Sequence, residues 1–354
     1  MKFGILFTSH PHVDKEPYPH REVHTRVTAE ILEADRLGYD IAWIAEHHFS
    51  NGYGILPDPF TYIGYLAAQT QRIRLGTAVM TLPLYNPVRV VENAAFADIL
   101  SEGRFILGLG SGYRPYEFEG MGVPFDERRD IQEEALEIVL NALHNRRIQH
   151  QGTYFNVNVS GDYEIFPAGM QEPHVPLYLA AGTDRSIGVA ARHGCGLMLS
   201  TLPGFDKIAT QTAYYRKALK EAPEKWQGNP ACGQVDLARW VYVAESDAKA
   251  KEDSAEGLVH HIKNFMAKNA AGYLGTVSEK DQGGELDYDE LAATTLLHGS
   301  PDTVIRRLQE LREVTGITSL VLHYPPYYGV EKTLNSLRLF AEQVIPAFRA
   351  EAAA

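Results

Sequence analysis

The sequence predicts a parallel α/β protein closed as a (β/α)8 TIM barrel. Three observations carry this reading: eight short apolar runs, helical patterns between them, and no linker dividing the chain. The runs fall at 3–7, 41–45, 73–80, 105–109, 175–181, 197–201, 237–244 and 319–323. They are apolar at successive rather than alternate positions, as expected when both faces of a parallel strand are covered.

The connecting segments follow helical spacing. Val23, Val27, Ile31, Ala34 and Leu37 recur every three or four residues, and Gly38 is placed to end that helix. Ile131, Ala135, Ile138, Val139 and Ala142 repeat the pattern, as do Leu334, Leu337, Ala341 and Val344, with Pro346 placed to stop the last helix. Two connections exceed what a barrel loop requires. One, at 146–173, holds Gly152-Thr153-Tyr154-Phe155 and alternating Val157 and Val159, and reads as an inserted hairpin. The other, at 268–291, is polar and glycine-bearing and reads as a long mobile loop acting as a lid. The chain, 1–354, reads as a single barrel domain.

Composition narrows the function. The 354 residues carry 33 Lys and Arg against 45 Asp and Glu, a formal charge of −12. That balance argues against a nucleic-acid surface or an anionic membrane patch, both of which need concentrated cations. Cys195 and Cys232 lack CxxC spacing, which disfavours a disulfide framework or a cysteine-rich zinc site and makes a reducing compartment the expectation. The N-terminal apolar run is short for a secretion signal, and no stretch approaches the ~18 apolar residues of a membrane span. The expectation is a soluble, cytoplasmic protein.

Catalytic groups of such barrels project from the C-terminal ends of the strands. The second run ends in Glu46-His47-His48-Phe49, a carboxylate and two imidazoles suited to acid/base work near neutral pH. A metal is disfavoured, because adjacent histidines on an extended chain point to opposite sides. The structural alternative is that one imidazole, His48 more than His47, only packs and hydrogen-bonds. The fourth run ends in Gly108-Leu109-Gly110-Ser111-Gly112-Tyr113-Arg114, where glycines admit close approach of a flat ring or phosphate, or simply make a tight turn. It lacks the G-x-G-x-x-G of dinucleotide sites. After the fifth run, Gly182, Thr183 and Ser186 stand at a helix start that suits a phosphate, although capping by Thr183 or Asp184 explains the same residues. Arg128 and Arg129, heading the helix beyond the glycine turn, offer a counter-charge. His260 and His261 lie in a charged helical stretch and are set aside. Tyr113, Tyr116, Phe118, Tyr324, Tyr327 and Tyr328 follow strand ends and either line an apolar pocket or pack.

Taken with Gly38-Tyr39-Asp40 leading to Trp43, Leu75-Gly76-Thr77-Ala78-Val79, Asn86-Pro87-Val88-Arg89, Leu100-Ser101-Glu102-Gly103-Arg104-Phe105 and Gly299-Ser300-Pro301-Asp302-Thr303-Val304, these motifs resemble the bacterial luciferase-like flavin-dependent monooxygenases over nearly the whole chain. The resemblance implies a barrel that binds reduced FMN (FMNH2) from a separate NAD(P)H:flavin reductase. It implies that O2 adds at flavin C4a, and that the peroxyflavin oxygenates a small organic substrate. It assigns proton transfer to His47, a non-proline cis peptide near the flavin to Ala78-Val79, and flavin contacts to Gly110, Ser111, Tyr113, Arg114, Ala181, Gly182, Thr183 and Ser186. Arg129, or its neighbour Arg128, matches a phosphate-binding arginine. Ser111 stands where luciferase has an arginine, Gly110 where it has a reactive cysteine and Gly182 where it has a glutamate, so emission of light from a fatty aldehyde is not the first expectation. A homodimer or higher homo-oligomer is expected, pairing through helices beside the first strands. Two alternatives remain: a deazaflavin (F420) hydride transferase on the same fold, and a non-catalytic flavin-binding or partner subunit, against which the intact His47 argues.

Overall fold

Each of the eight apolar runs forms one barrel strand: Lys2–Phe7, Ile41–Ile44, Arg74–Thr77, Phe105–Gly110, Leu177–Ala180, Gly196–Leu199, Val235–Val243 and Ser319–His323. Every strand pairs in parallel with the next, and the eighth pairs with the first, Lys2 opposite Ser319 and Leu6 opposite His323. The ring is therefore closed, a (β/α)8 TIM barrel. The computed structural model describes residues 1–13, 16–267 and 287–350. Within these, no helix is long and apolar enough to cross a membrane.

The expected helices take shape for the reasons their spacing gives. Helix Pro19–Leu37 buries Val23, Val27, Ile31 and Ala34, and Gly38 ends it in the left-handed region at φ 81°, its N–H reaching the Ala34 carbonyl. The inserted hairpin is present as Ile148–Gln151 paired antiparallel with Asn156–Val159. Two short strands extend the barrel rim, Met80–Thr81 beside the fourth strand and Leu297–Gly299 beside the seventh.

Two expectations change. Pro346 does not stop the last helix: a π turn at Phe340–Val344 passes the Ile345 N–H back to the Phe340 carbonyl, and helix Ile345–Ala350 continues through the proline. The wider turn shifts the hydrogen-bond register where proline has no N–H to give. The run 73–80 is broken at Ala78-Val79, which is a cis peptide, so it supplies the third strand and the short Met80–Thr81 strand separately. The expected lid at 268–291 falls outside the described residues up to 286, and its last positions begin helix Tyr288–Thr294.

A closed barrel must fill its own interior, and here two rings do so. Trp43 is fully buried and meets Tyr178 edge to face at 5.5 Å. Glycines on three strands make the room. A Cβ on Gly76 would lie 2.4 Å from the Trp43 ring, one on Gly4 3.0 Å from it, and one on Gly196 2.5 Å from the Tyr178 ring. Ile41, Ile106 and Val321 complete the plug. These rings fill the barrel below the C-terminal ends of its strands, and the cavity of the mouth lies toward those ends.

Gly76→Ala is expected to lower unfolding free energy by about 1–3 kcal/mol, because the indole is enclosed and overpacking outweighs the ~0.4–1 kcal/mol gained by restricting the unfolded chain. Gly228→Ala, where an added Cβ meets nothing within 4 Å, serves as the control. Equal denaturant midpoints for the two variants would contradict the packing argument.

Candidate active site

Above the Trp43–Tyr178 plug, the barrel mouth encloses a cavity of about 240 Å³. Its walls differ in kind. The third to fifth strands contribute a flat, small-residue face: Ala78, Val79, Gly110, Ala180, Ala181 and Gly182. Gly110 is required there, since a Cβ would come within 2.5 Å of Val79. The opposite wall, built by the seventh and eighth strands and helix Asp247–Ala267, presents Trp240, His323 and His261.

One end of the flat face is polar. Thr183 caps helix Asp184–Arg192 in a reciprocal capping box with Ser186, whose hydroxyl also accepts from the Gly182 and Thr183 N–H groups at 3.2 and 3.1 Å. The capping reading is thus correct, yet both residues also line the cavity. Arg185 donates to Glu133 at 2.8 Å and also pairs with Asp130, which ties this helix start to helix Arg128–Asn145. Arg129 at the head of that helix reaches the cavity. A guanidinium and a helix N-terminus thereby share one pole of the site, the arrangement that holds a phosphate.

Arg128 is committed elsewhere. Its guanidinium donates to the Gly112 carbonyl at 3.2 Å and the Phe125 carbonyl at 2.9 Å and lies 3.9 Å over the Phe125 ring. It fixes the glycine turn and is not among the cavity-lining residues, whereas Arg129 is, which favours Arg129 of the two arginines. Arg114 differs similarly from expectation. It is fully buried behind the wall, 4.3 Å over Tyr53 and 5.0 Å over Tyr113, so it supports those rings while Ser111 and Tyr113 face the cavity.

The two rim histidines take separate partners. His48 Nε2 bonds Glu46 at 2.7 Å, and Glu46 also accepts from the Thr81 N–H at 3.2 Å. Burial opposes charge on His48, but the hydrogen bond and charge of Glu46 outweigh it and its pKa lies above the ordinary value. His48 is not among the cavity-lining residues and fastens the rim. His47 lines the cavity, and its Nδ1 donates to Glu117 at 3.1 Å. Glu117 also accepts from the His48 N–H at 3.0 Å. Burial raises the Glu117 pKa, but His47, that N–H and Arg114 together bring it below the ordinary value. Burial lowers the His47 pKa despite Glu117. An anionic carboxylate only accepts, so the neutral imidazole keeps its proton on Nδ1 and leaves Nε2 as the basic atom.

Several cavity residues escaped the sequence reading. His261, set aside on its helix, is buried and lines the cavity. Ala250, Ser254, Leu258 and His261 are all buried at four-, four- and three-residue spacing, a helical face that identifies the position. His323 closes the eighth strand, and Trp240 shares an inward face with Asp236 and Ala238 at period two. Glu117 and Tyr53 arrive from loops and short elements that carry no such signal. Of the tyrosine and phenylalanine candidates, Tyr113 lines the cavity, whereas Phe118 is core and Tyr328 packs in a separate cluster with Tyr242 and Tyr288.

The comparisons place this barrel among flavin-dependent monooxygenases. Residues 1–319 match the luciferase-like monooxygenase family, and the chain belongs to that family. Limonene 1,2-monooxygenase of Rhodococcus erythropolis is 28% identical over 334 residues, covering 91% of this chain and 81% of that protein. The oxygenase component of the flavin-dependent trigonelline monooxygenase of Acinetobacter baylyi is 27% identical over 362 residues, covering 98% and 96%. The monooxygenase RslO1 of Streptomyces bottropensis superposes with a TM-score of 0.82 at 25% identity, covering 98% of this chain and 100% of that one.

Asp236 on the cavity floor gives the site a pH signature. Burial pushes its carboxyl from 3.8 up to about 7, with Lys2 pulling the other way. The native protein holds this proton while the unfolded chain releases it, so the stabilisation it provides is complete below about pH 3.8 and lost as pH rises to about 7. Asp236→Asn should therefore gain stability relative to the parent over that interval, by up to ~1.4 kcal/mol per pH unit. Parallel urea-unfolding profiles from pH 4.5 to 7.5 for the two proteins would refute the assignment.

Proposed function

We propose that this flavin-dependent monooxygenase is the oxygenase component of a two-component system, receiving reduced FMN from a separate NAD(P)H-dependent reductase and oxygenating a small, partly apolar organic substrate. The observation that carries the reading is the juxtaposition of a flat face (Ala78, Val79, Gly110, Ala180, Ala181, Gly182) with a phosphate-suited pole (Arg129, Thr183, Ser186) in one cavity that also holds His47. A planar tricyclic ring needs the small-residue face that a Cβ on Gly110 would fill, and a phosphate monoester needs the cation and helix start. Both features fit FMN.

The chain's own groups divide the work. Arg129 and the start of helix Asp184–Arg192 bind and orient the phosphate, which fixes the ring against the small-residue face. Bound there, the flavin would supply two electrons to O2, one oxygen atom passing to the substrate and the other leaving as water. His47, neutral and anchored through Nδ1, accepts or returns a proton at Nε2. Glu117 positions it. Tyr53 and Trp240 exclude water from the mouth.

Two substitutions separate these roles. Arg129→Ala is expected to weaken oxidised-FMN binding roughly tenfold, the loss of a charge-assisted hydrogen bond, while riboflavin, which lacks the phosphate, binds as before. Arg128→Ala should not distinguish the two ligands. His47→Ala should lower oxygenation, followed by incorporation of 18O from 18O2, by about 10²–10⁴ with FMNH2 affinity essentially unchanged. Equal loss of turnover and affinity would remove His47 from proton transfer. Anaerobic turnover with reduced F420, and none with FMNH2 and O2, would replace the proposal with hydride transfer.

A further inference from the structure

The cavity wall opposite the flat face carries polar atoms that the mechanism above does not use. Trp240, His261 and His323 are each at least nine-tenths buried. Yet Trp240 Nε1, His261 Nδ1 and both ring nitrogens of His323 have no hydrogen-bond partner among the described residues. The three rings form one unit: Trp240 stacks on His323 at 6.3 Å and 28°, and His261 meets His323 edge to face at 5.4 Å. Unmet buried donors and acceptors are costly, and their clustering on three rings that line a cavity is explained by a ligand that completes them.

The charge of this wall limits what can complete it. Burial lowers the His323 pKa to about 4 and holds that of His261 well below its ordinary value, with His323 and His10 opposing further charge on His261. Both imidazoles are therefore neutral near pH 7, each with one donor and one acceptor, beside the donor-only indole of Trp240. Among the described cavity-lining residues the one Lys or Arg is Arg129, at the phosphate pole. An organic anion would lack a counter-charge on this wall; an organic cation would leave the Trp240 N–H unmet and would find Glu46 and Glu117 taken by His48 and His47 and Asp236 held toward its neutral form by burial; and a plain hydrocarbon would leave every one of these nitrogens unmet.

We propose that Trp240, His261 and His323 form the substrate-recognition wall and that they select an uncharged, ring-bearing molecule with a carbonyl or hydroxyl oxygen directed at the Trp240 N–H and the His323 ring. The aromatic surfaces supply contact area, and the oxygen supplies orientation toward the flat face across the cavity. This rests on the flavin occupying that face.

The test uses four probes of nearly one shape: acetophenone, α-methylstyrene, benzoate and benzamidinium. Their affinities for the FMN-loaded protein are measured by quenching of tryptophan fluorescence, with calorimetry for the Trp240 variant. Acetophenone is expected to bind roughly tenfold more tightly than each of the other three. Trp240→Phe and His323→Leu should each cut its advantage over α-methylstyrene to roughly threefold or less, leaving affinity for oxidised FMN unchanged. A hydrocarbon or an ion that binds as well as the ketone overturns the proposal, as does a ranking untouched by both substitutions. FMN titration of the parent protein keeps the two readings apart. If FMN does not bind but the ranking holds without it, the flavin assignment fails while the wall stands; if FMN binds and the ranking is absent, the wall fails alone.

Discussion

The packing of Trp43 against Tyr178 inside the barrel is the contact on which the rest depends. A ring of eight parallel strands encloses a volume that its inward side chains must fill, and strands carrying only aliphatic residues would fill it evenly to the rim. Here two large rings occupy the lower part, admitted by Gly4, Gly76 and Gly196. The upper part is lined by Ala45, Ala78, Gly110 and Ala180, and this change of side-chain size along the strands creates the cavity. The same strands therefore secure stability below and access above.

Around that cavity, buried histidines are managed in three ways. His48 is paired with Glu46 and held toward its charged form at the rim. His47 is paired with Glu117 but buried enough to stay neutral, which leaves one nitrogen basic. Among the described residues His261 and His323 have no carboxylate partner, and burial favours their neutral forms. Adjacent residues of one tetrapeptide thus acquire different tasks because their side chains leave the chain in different directions, one imidazole meeting a rim carboxylate and the other a carboxylate on helix Pro115–Met121.

Strand positions were legible because a parallel strand covered on both faces must be apolar at consecutive positions, and all eight runs mark barrel strands. The glycine turn and the helix start after the fifth strand were legible because tight approach and free N–H groups need particular residue types. The choice between Arg128 and Arg129 was not. Both head the same helix, and only the carbonyls of Gly112 and Phe125, brought together by the turn, consume one guanidinium and leave the other for the cavity. His261 was passed over because charged neighbours obscure the buried face of its helix.

The sequence by itself determined the barrel and the rim motif, which follow from periodicity and from residue types adjacent in the chain, while the family showed as a resemblance of its ordered motifs. Tertiary structure decided which histidine meets Glu117, which arginine faces the cavity, and that Trp240, His261 and His323 share a wall. Those outcomes depend on side chains from distant strands and helices meeting at one end of a closed ring, where burial and partner, rather than residue type, set charge and hydrogen-bonding state.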